Sequence, residues 1–441
     1  MSEYDDTDPL LLPQRSRLLY IGPPKTGTTT LQESARVSRS ALYEHGVYYP
    51  GTGRNHREAI QAFMRRKTKA DRSLSRRVDV NSKTKAPPLK QWKKLMADID
   101  SEPDRRILIS HEFAGEADAE SAAEFVDELG PEQTHIAITL RPLSAMLPSR
   151  WNQSLKDGLT QSLDEWLERY FGLSDTPISA RQRRYLNQGS LVNQWAKIAG
   201  PENVTVIILD GLDKTLLTRT FERMLGLPES TLTAAGVESG RATNRTMTIP
   251  ETEVYRHANA LIKETCEVSW PLYYDVIKQG AIEQMLERRT PSDDEPRIRM
   301  PHWAAERARR DGKQYAEQIA DSGVRVVGDL ASLYGPPPVS EDSPSVDAEV
   351  YRELAVEALS GAYAGALKFE KYAISEILQS RDSRKQVAKL KKSSVHEIVK
   401  QLPRHTRVQR AAEGFTTRDL AGALALRLRH KLKTGKSMRL K

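Results

Sequence analysis

Runs of four to six mostly aliphatic residues recur along the chain: Arg17-Leu-Leu-Tyr-Ile-Gly22, Arg106-Ile-Leu-Ile-Ser110, Thr134-His-Ile-Ala-Ile-Thr-Leu140 and Val204-Thr-Val-Ile-Ile-Leu209. Their apolar residues stand side by side rather than at alternate positions, the pattern of strands covered on both faces. Stretches with helical spacing lie between them, at 29–39, 118–129, 163–170 and 190–199, the last stopped by Gly200-Pro201. Strand and helix in alternation predict an α/β fold, a three-layer core in which helices flank a parallel β-sheet of doubly wound type.

The same pattern divides the chain. Residues 1–14 form an N-terminal tail and 15–335 the α/β domain, with a late strand at Gly323-Val-Arg-Val-Val-Gly328. A Pro-rich linker at 336–345 leads to an alanine-rich helical extension at 346–380 and a C-terminal tail at 381–441. The polar stretch 65–94 interrupts the domain as an insertion or loop. Gly361 and Gly365 have the spacing of a membrane-helix contact, but charged residues flank them too closely for that use.

Charge sharpens this division. The 441 residues carry a net charge of +8, yet residues 381–441 hold 18 Lys and Arg against 4 Asp and Glu, and residues 65–94 hold 12 against 2, so the rest is net −16. An acidic body thus bears two basic appendages, suited to an acidic partner or an anionic surface. The segment 419–430 has the pattern of a short basic amphipathic helix that rests on an anionic membrane. No apolar run reaches the ~18 residues needed to span a bilayer, and the acidic start Met1-Ser-Glu-Tyr-Asp lacks the basic-then-apolar pattern of a secretory signal. With one cysteine, Cys266, a disulfide scaffold is excluded and a cytoplasmic location is expected.

The chemistry concentrates where the first strand ends. Gly22-Pro-Pro-Lys-Thr-Gly-Thr-Thr-Thr30 joins that strand to a helix. Such a turn directs backbone N–H groups inward at the positive end of the helix and makes an anion cradle, with Lys25 and the threonine hydroxyls as further donors. A nucleoside-triphosphatase loop requires Gly-x-x-x-x-Gly-Lys-[Ser/Thr]. Here Gly22 and Gly27 keep the glycine spacing, but Thr28 stands in the lysine's place and Lys25 precedes the second glycine.

That displaced lysine, in Pro24-Lys-Thr-Gly-Thr-Thr29, resembles the 5′-phosphosulfate loop of sulfotransferases that use 3′-phosphoadenosine 5′-phosphosulfate (PAPS). A second segment, Arg141-Pro-Leu-Ser-Ala-Met-Leu-Pro-Ser-Arg-Trp151, is similar to that family's 3′-phosphate segment, an arginine at a strand end with a serine eight positions on. His45-Gly-Val-Tyr-Tyr-Pro-Gly51 and Phe221-Glu-Arg-Met-Leu-Gly-Leu-Pro228 also resemble bacterial members. The resemblance implies a P-loop-like core over about residues 15–335. It further implies that Lys25 contacts the bridging and leaving oxygens, that Thr26, Gly27, Thr28, Thr29 and Thr30 hold the 5′-phosphate, and that Arg141 and Ser149 hold the 3′-phosphate. No metal is expected, and PAPS enters as the sulfonate donor.

An acceptor hydroxyl must lose its proton, which calls for a nearby carboxylate or imidazole. Glu112 and His111, directly after the strand ending at Ser110, are the first choices, and His56 is the rival; a structural role is open to all three. Arg245, in a polar loop, is a further anion contact, and Trp270 and Trp303 stand as core or as walls of an acceptor pocket. The expected activity is sulfonate transfer to a hydroxyl or amine of a glycan, glycolipid or small molecule, an acidic or lipid-linked acceptor suiting the basic segments, with no specific nucleic acid. The alternatives are an ATP-using P-loop kinase and a non-enzymatic anion-binding module targeted by its basic tail.

Overall fold

The computed structural model describes residues 8–23, 26–64, 87–178, 186–232, 245–265, 270–336 and 339–340, with further helical positions between 354 and 366. Lys25, Cys266, the basic residues 65–86 and the tail 381–441 lie outside the described residues.

Six strands form one parallel sheet: β1 (Arg17–Ile21), β2 (Val47–Tyr48), β3 (Arg106–Ser110), β4 (Thr134–Leu140), β5 (Val204–Ile208) and β7 (Arg325–Val327). Their order across it is β2-β3-β1-β4-β5-β7. Each of β3, β4 and β5 is buried along its whole length, as their unbroken apolar runs require. One face, carrying Leu19, Ile109, Ile138 and Val206, packs against α3 (Arg57–Phe63), α4 (Lys90–Asp100), α5 (Ala119–Leu129), α8 (Gln188–Ala199) and the end of α13 (His302–Ala320). The alternate residues Leu18, Tyr20, Leu108, Ala137 and Ile207 face α1 (Thr28–Val37), α2 (Arg39–Glu44) and α9 (Leu216–Leu225). The period of two along each strand therefore supplies both interfaces, and each fully buried Leu or Ile contributes roughly 2 kcal/mol.

A second apolar cluster lies in a helical layer. It joins α6 (Leu143–Lys156), α7 (Leu163–Tyr170), a π-helical stretch (Tyr274–Ile282), α12 (Glu283–Arg288) and the first half of α13, through residues such as Leu147, Trp151, Leu167, Ile282 and Leu286. α10 (Ile249–Thr265) enters it through Tyr255, and α11 (Trp270–Tyr273) precedes the π-helical stretch. Gly361 and Gly365 pack on this layer, where a side chain on either would strike the backbone of Gly280 or Asp275. Their spacing is that of a close contact between helices.

The structure corrects two boundaries. The basic stretch assigned to 65–94 ends in helix, because Lys90 opens α4 and Trp92, Leu95 and Ile99 line its buried side. The linker 336–345 contributes β8 (Val339–Ser340), which pairs with β6 (Met300–Pro301). Among the described residues no helix is long and apolar enough to cross a membrane.

Candidate anion-binding site

β1 occupies the middle of the sheet, so the loop that leaves it emerges between the ends of β3 and β4. Such a crevice at the carboxyl ends of parallel strands, where the chain leaves in opposite directions, is where ligands of open α/β sheets bind. The loop reaches α1 through Gly27, which has φ +86° and stands at the helix N-cap; that left-handed conformation favours glycine. The first N–H groups of a helix lack intrahelical acceptors by construction; here the Thr30 N–H already donates to the Gly27 carbonyl at 3.1 Å, and α1 places the positive end of its dipole at this crevice. Gly22 lies so close to β4 that a side chain would come within 2.6 Å of the Thr139 hydroxyl.

The predicted threonines divide into two groups. Thr26 is fully buried, and its hydroxyl pairs with the Pro23 carbonyl at 2.7 Å and with the Thr139 hydroxyl at 2.7 Å. Its side chain therefore fastens the loop to β4. Thr28 is also buried, whereas Thr29 and Thr30 are exposed on the first turn of α1. The Tyr20 hydroxyl joins the Thr139 hydroxyl at 3.1 Å. Burial pushes the Tyr20 phenol well above its ordinary range, and the Glu112 charge adds to this against the lowering effect of that hydrogen bond.

At the end of β3 the polar residues are tied together. Gln32 of α1 donates to the Ser110 hydroxyl at 3.0 Å and accepts from the Asn55 amide at 2.9 Å. His56 is buried with both ring nitrogens committed: Nδ1 accepts from the Ser110 N–H at 3.0 Å, and Nε2 lies 3.2 Å from the Pro50 carbonyl. Burial pulls its pKa down to about 4. A neutral imidazole so bonded has no lone pair to offer, and the rival base is accordingly a brace for the loop before α3.

His111 and Glu112 are differently placed. The buried His111 accepts the Phe113 N–H at Nδ1, 3.1 Å away, while its Nε2 stands 3.5 Å from a Glu112 oxygen. The neutral tautomer consistent with the first contact carries its proton on Nε2, toward the carboxylate. Glu112 opens a 3₁₀ turn (Glu112–Glu116) and keeps a quarter of its side chain exposed. The same turn brings Gly115 against the Gly22 amide, 3.7 Å from an added Cβ, so the turn that Glu112 opens runs beside the loop.

On the other flank Arg141 follows β4, half-buried, with burial lowering its pKa from the ordinary arginine value. Its carbonyl accepts from the buried Gln188 side chain at 2.7 Å. Ser149 lies on α6 and lines a cleft of about 310 Å³ shared with Arg245, Arg297 and Arg299. Arg141 is not among the residues lining that cleft. The Trp151 ring is buried and donates to the Gln161 carbonyl at 3.0 Å, a core position. Trp270 is likewise buried, whereas Trp303 is partly exposed and donates to Asp164 at 3.2 Å.

Arg245 does not offer its fork to a ligand. Its two terminal nitrogens each donate to Glu251 at 2.7 Å. Glu251 also accepts from Arg289 at 2.9 Å, and Arg289 makes two bonds to Glu295. Burial pushes the Glu251 carboxyl up, but the Arg245 bonds, the Thr248 N–H and Arg289 outweigh it and leave it below its ordinary value. Two arginines and two glutamates, the latter fully buried, form a charge-balanced core between the segments around 248 and 296, which also meet in an antiparallel bridge from Thr248 to Arg297.

Sequence reading missed Thr139, Gln32, Gln188, the Glu251–Arg289–Glu295 network, Arg297 and Arg299. The alternation Arg297-Ile298-Arg299-Met300, with exposed arginines and a buried Met300, was a readable signal for the last pair. Among the described residues no group of three or more His, Cys, Asp or Glu is placed to hold a metal ion. No family model, curated protein or solved structure matches this chain.

Proposed function

We propose that this chain is a PAPS-dependent sulfotransferase of the P-loop-like class, acting in the cytoplasm on a hydroxyl or amine of a glycan, glycolipid or small-molecule acceptor. The observation that carries the reading is the conjunction at one crevice of the loop from Gly22 to Thr30, with its left-handed Gly27, and two flanking strand ends that bear Glu112 and Arg141. The residues suit the donor: backbone N–H groups and the exposed Thr29 and Thr30 for the 5′-phosphate, and a guanidinium for the 3′-phosphate.

In the proposed reaction the acceptor oxygen bonds to sulfur as the bond from sulfur to the phosphate oxygen breaks, and the electron pair stays on that oxygen. Lys25 and the N–H groups of α1 stabilise the charge developing there. Glu112 takes the acceptor proton, with the His111 ring fixing its position. Such a displacement asks mainly for positioning and electrostatic stabilisation.

Calorimetric titration of 3′-phosphoadenosine 5′-phosphate into metal-free protein, with ATP and 5′-AMP as controls, tests the reading. Metal-independent binding of the bisphosphate in preference to both controls is expected. Preference for ATP with magnesium would replace the reading with a kinase, and no nucleotide binding by folded protein would replace it with an anion-binding module.

A further inference from the structure

The cleft behind α6 has a charge that the proposed crevice chemistry does not use. Ser144, Pro148 and Ser149 of α6 line it together with Arg245, Arg297 and Arg299. No Asp or Glu lines it. The Arg245 and Arg289 charges are cancelled by Glu251 and Glu295 in the buried network. Arg297 and Arg299 are exposed and make no side-chain hydrogen bond or ion pair among the described residues. Arg297 and Arg299 thus line one cleft together with Ser144 and Ser149, and the Arg245 Nε is buried without a hydrogen-bond partner among the described residues.

We propose that this cleft binds a phosphate or sulfate ester group, with Arg297 and Arg299 as its cations and Ser144 and Ser149 as hydroxyl donors. A pair of positive charges with fixed N–H forks matches a phosphate monoester dianion in charge and in geometry. The antiparallel bridge from Thr248 to Arg297 and the bond from the Ile249 N–H to the Pro296 carbonyl, 3.0 Å, hold the arginine-bearing segment in place. The site stands on its own residues and is independent of the sulfotransferase reading. Under that reading, two sources supply such a group: the nucleotide's 3′-phosphate, or an ester group already carried by the acceptor.

The test is phenylglyoxal modification of the full chain, tracked arginine by arginine by peptide mass spectrometry, with inorganic phosphate, 3′-phosphoadenosine 5′-phosphate and 5′-AMP as probes. Modification at Arg297 and Arg299 is expected to slow in the presence of phosphate or bisphosphate, while the exposed Arg309 and Arg310 of α13 react unchanged. The R297Q/R299Q double variant should bind the protecting probe about tenfold or more weakly, the effect of losing charge-assisted contacts. Protection by the bisphosphate and not by 5′-AMP identifies the nucleotide's 3′-phosphate. Protection by inorganic phosphate that persists at saturating bisphosphate identifies an ester on the acceptor. Unchanged modification of both arginines with every probe, and wild-type affinity in the double variant, would overturn the proposal. Failure of the sulfotransferase reading alone looks different: the bisphosphate would not bind, and phosphate would still protect Arg297 and Arg299.

Discussion

Thr26 and Thr139 share a buried hydrogen bond, 2.7 Å between hydroxyl oxygens, that ties the loop after β1 to the strand whose end bears Arg141. Tyr20 completes the cluster through the same Thr139 hydroxyl. The loop is therefore fastened to the sheet from beneath. Replacing Thr139 by Val leaves the shape nearly intact and removes the shared partner. A loss of about 1–3 kcal/mol in denaturant stability is expected, the cost of stranding buried polar groups. Thr139→Ser, which keeps the hydroxyl, should lose less. Equal stability of the Val variant and wild type would remove the cluster from the loop's support.

His56 and His135 make the fold acid-sensitive. His135 is buried against the Thr205 hydroxyl at 2.8 Å, and burial, with the Arg325 charge, pulls its pKa down to about 4; burial does the same to His56. Both groups are neutral in the folded chain and gain protons on unfolding below pH ~6.5. Stability is thus full above that value and falls as pH drops from about 6.5 toward 4, by roughly 3 kcal/mol for each histidine. Denaturation midpoints measured from pH 7.5 to 4.5 should show this slope, and His135→Gln should flatten it. A wild-type slope in that variant would exclude His135 as a source.

The sheet was largely legible because burial on both faces leaves unbroken apolar runs: Arg106–Ser110 and Thr134–Leu140 appear with the predicted bounds. The edge strand Val47–Tyr48 was not read, since two residues between Gly46 and Tyr49 carry no periodicity. The start of α4 was masked by lysines that precede its apolar positions. The loop after β1 and the two strand ends beside it were legible because a glycine-bearing turn after an unbroken apolar run is a local pattern. The sequence did not reveal that His56 spends both nitrogens on Ser110 and Pro50, or that Arg245 is held by Glu251. Those roles depend on partners from six residues away, as for Glu251 and Pro50, to 54 away, as for Ser110, and no spacing rule encodes them.

Glu112 is predicted to act on rate and not on donor binding. Its side chain is partly exposed on the turn after β3, and the His111 Nε2 stands 3.5 Å from its carboxylate. Under the proposed function Glu112→Gln should keep bisphosphate affinity and lower turnover by about 10²–10⁴, the range for general base catalysis. His111→Phe removes the ring's contact with Glu112 and should lower turnover while keeping bisphosphate affinity. His56→Gln should keep both in the fraction that folds. Full turnover in Glu112→Gln would move the proton acceptor elsewhere.

The buried network offers the sharpest structural test, because its charges balance only as a set. Arg289 is almost fully buried between Glu251 and Glu295, both without exposed surface to speak of. Arg289→Met leaves Glu251 with Arg245 and Glu295 without its arginine, and a loss of about 3–5 kcal/mol is expected. Removing a charge of each sign, as in Arg289→Met with Glu295→Leu, restores the balance and should recover part of that loss. Both effects should respond weakly to added salt, since buried pairs are poorly screened. The same network anchors the segment that presents Arg297 and Arg299, so the single variant should also weaken phosphate protection at those arginines while the double variant restores it. Thermal denaturation and arginine modification on the same three proteins measure both. If Arg289→Met proves as stable as wild type, the network does not hold the cleft wall; if stability falls and protection stays, the wall is held by the Thr248 to Arg297 bridge alone.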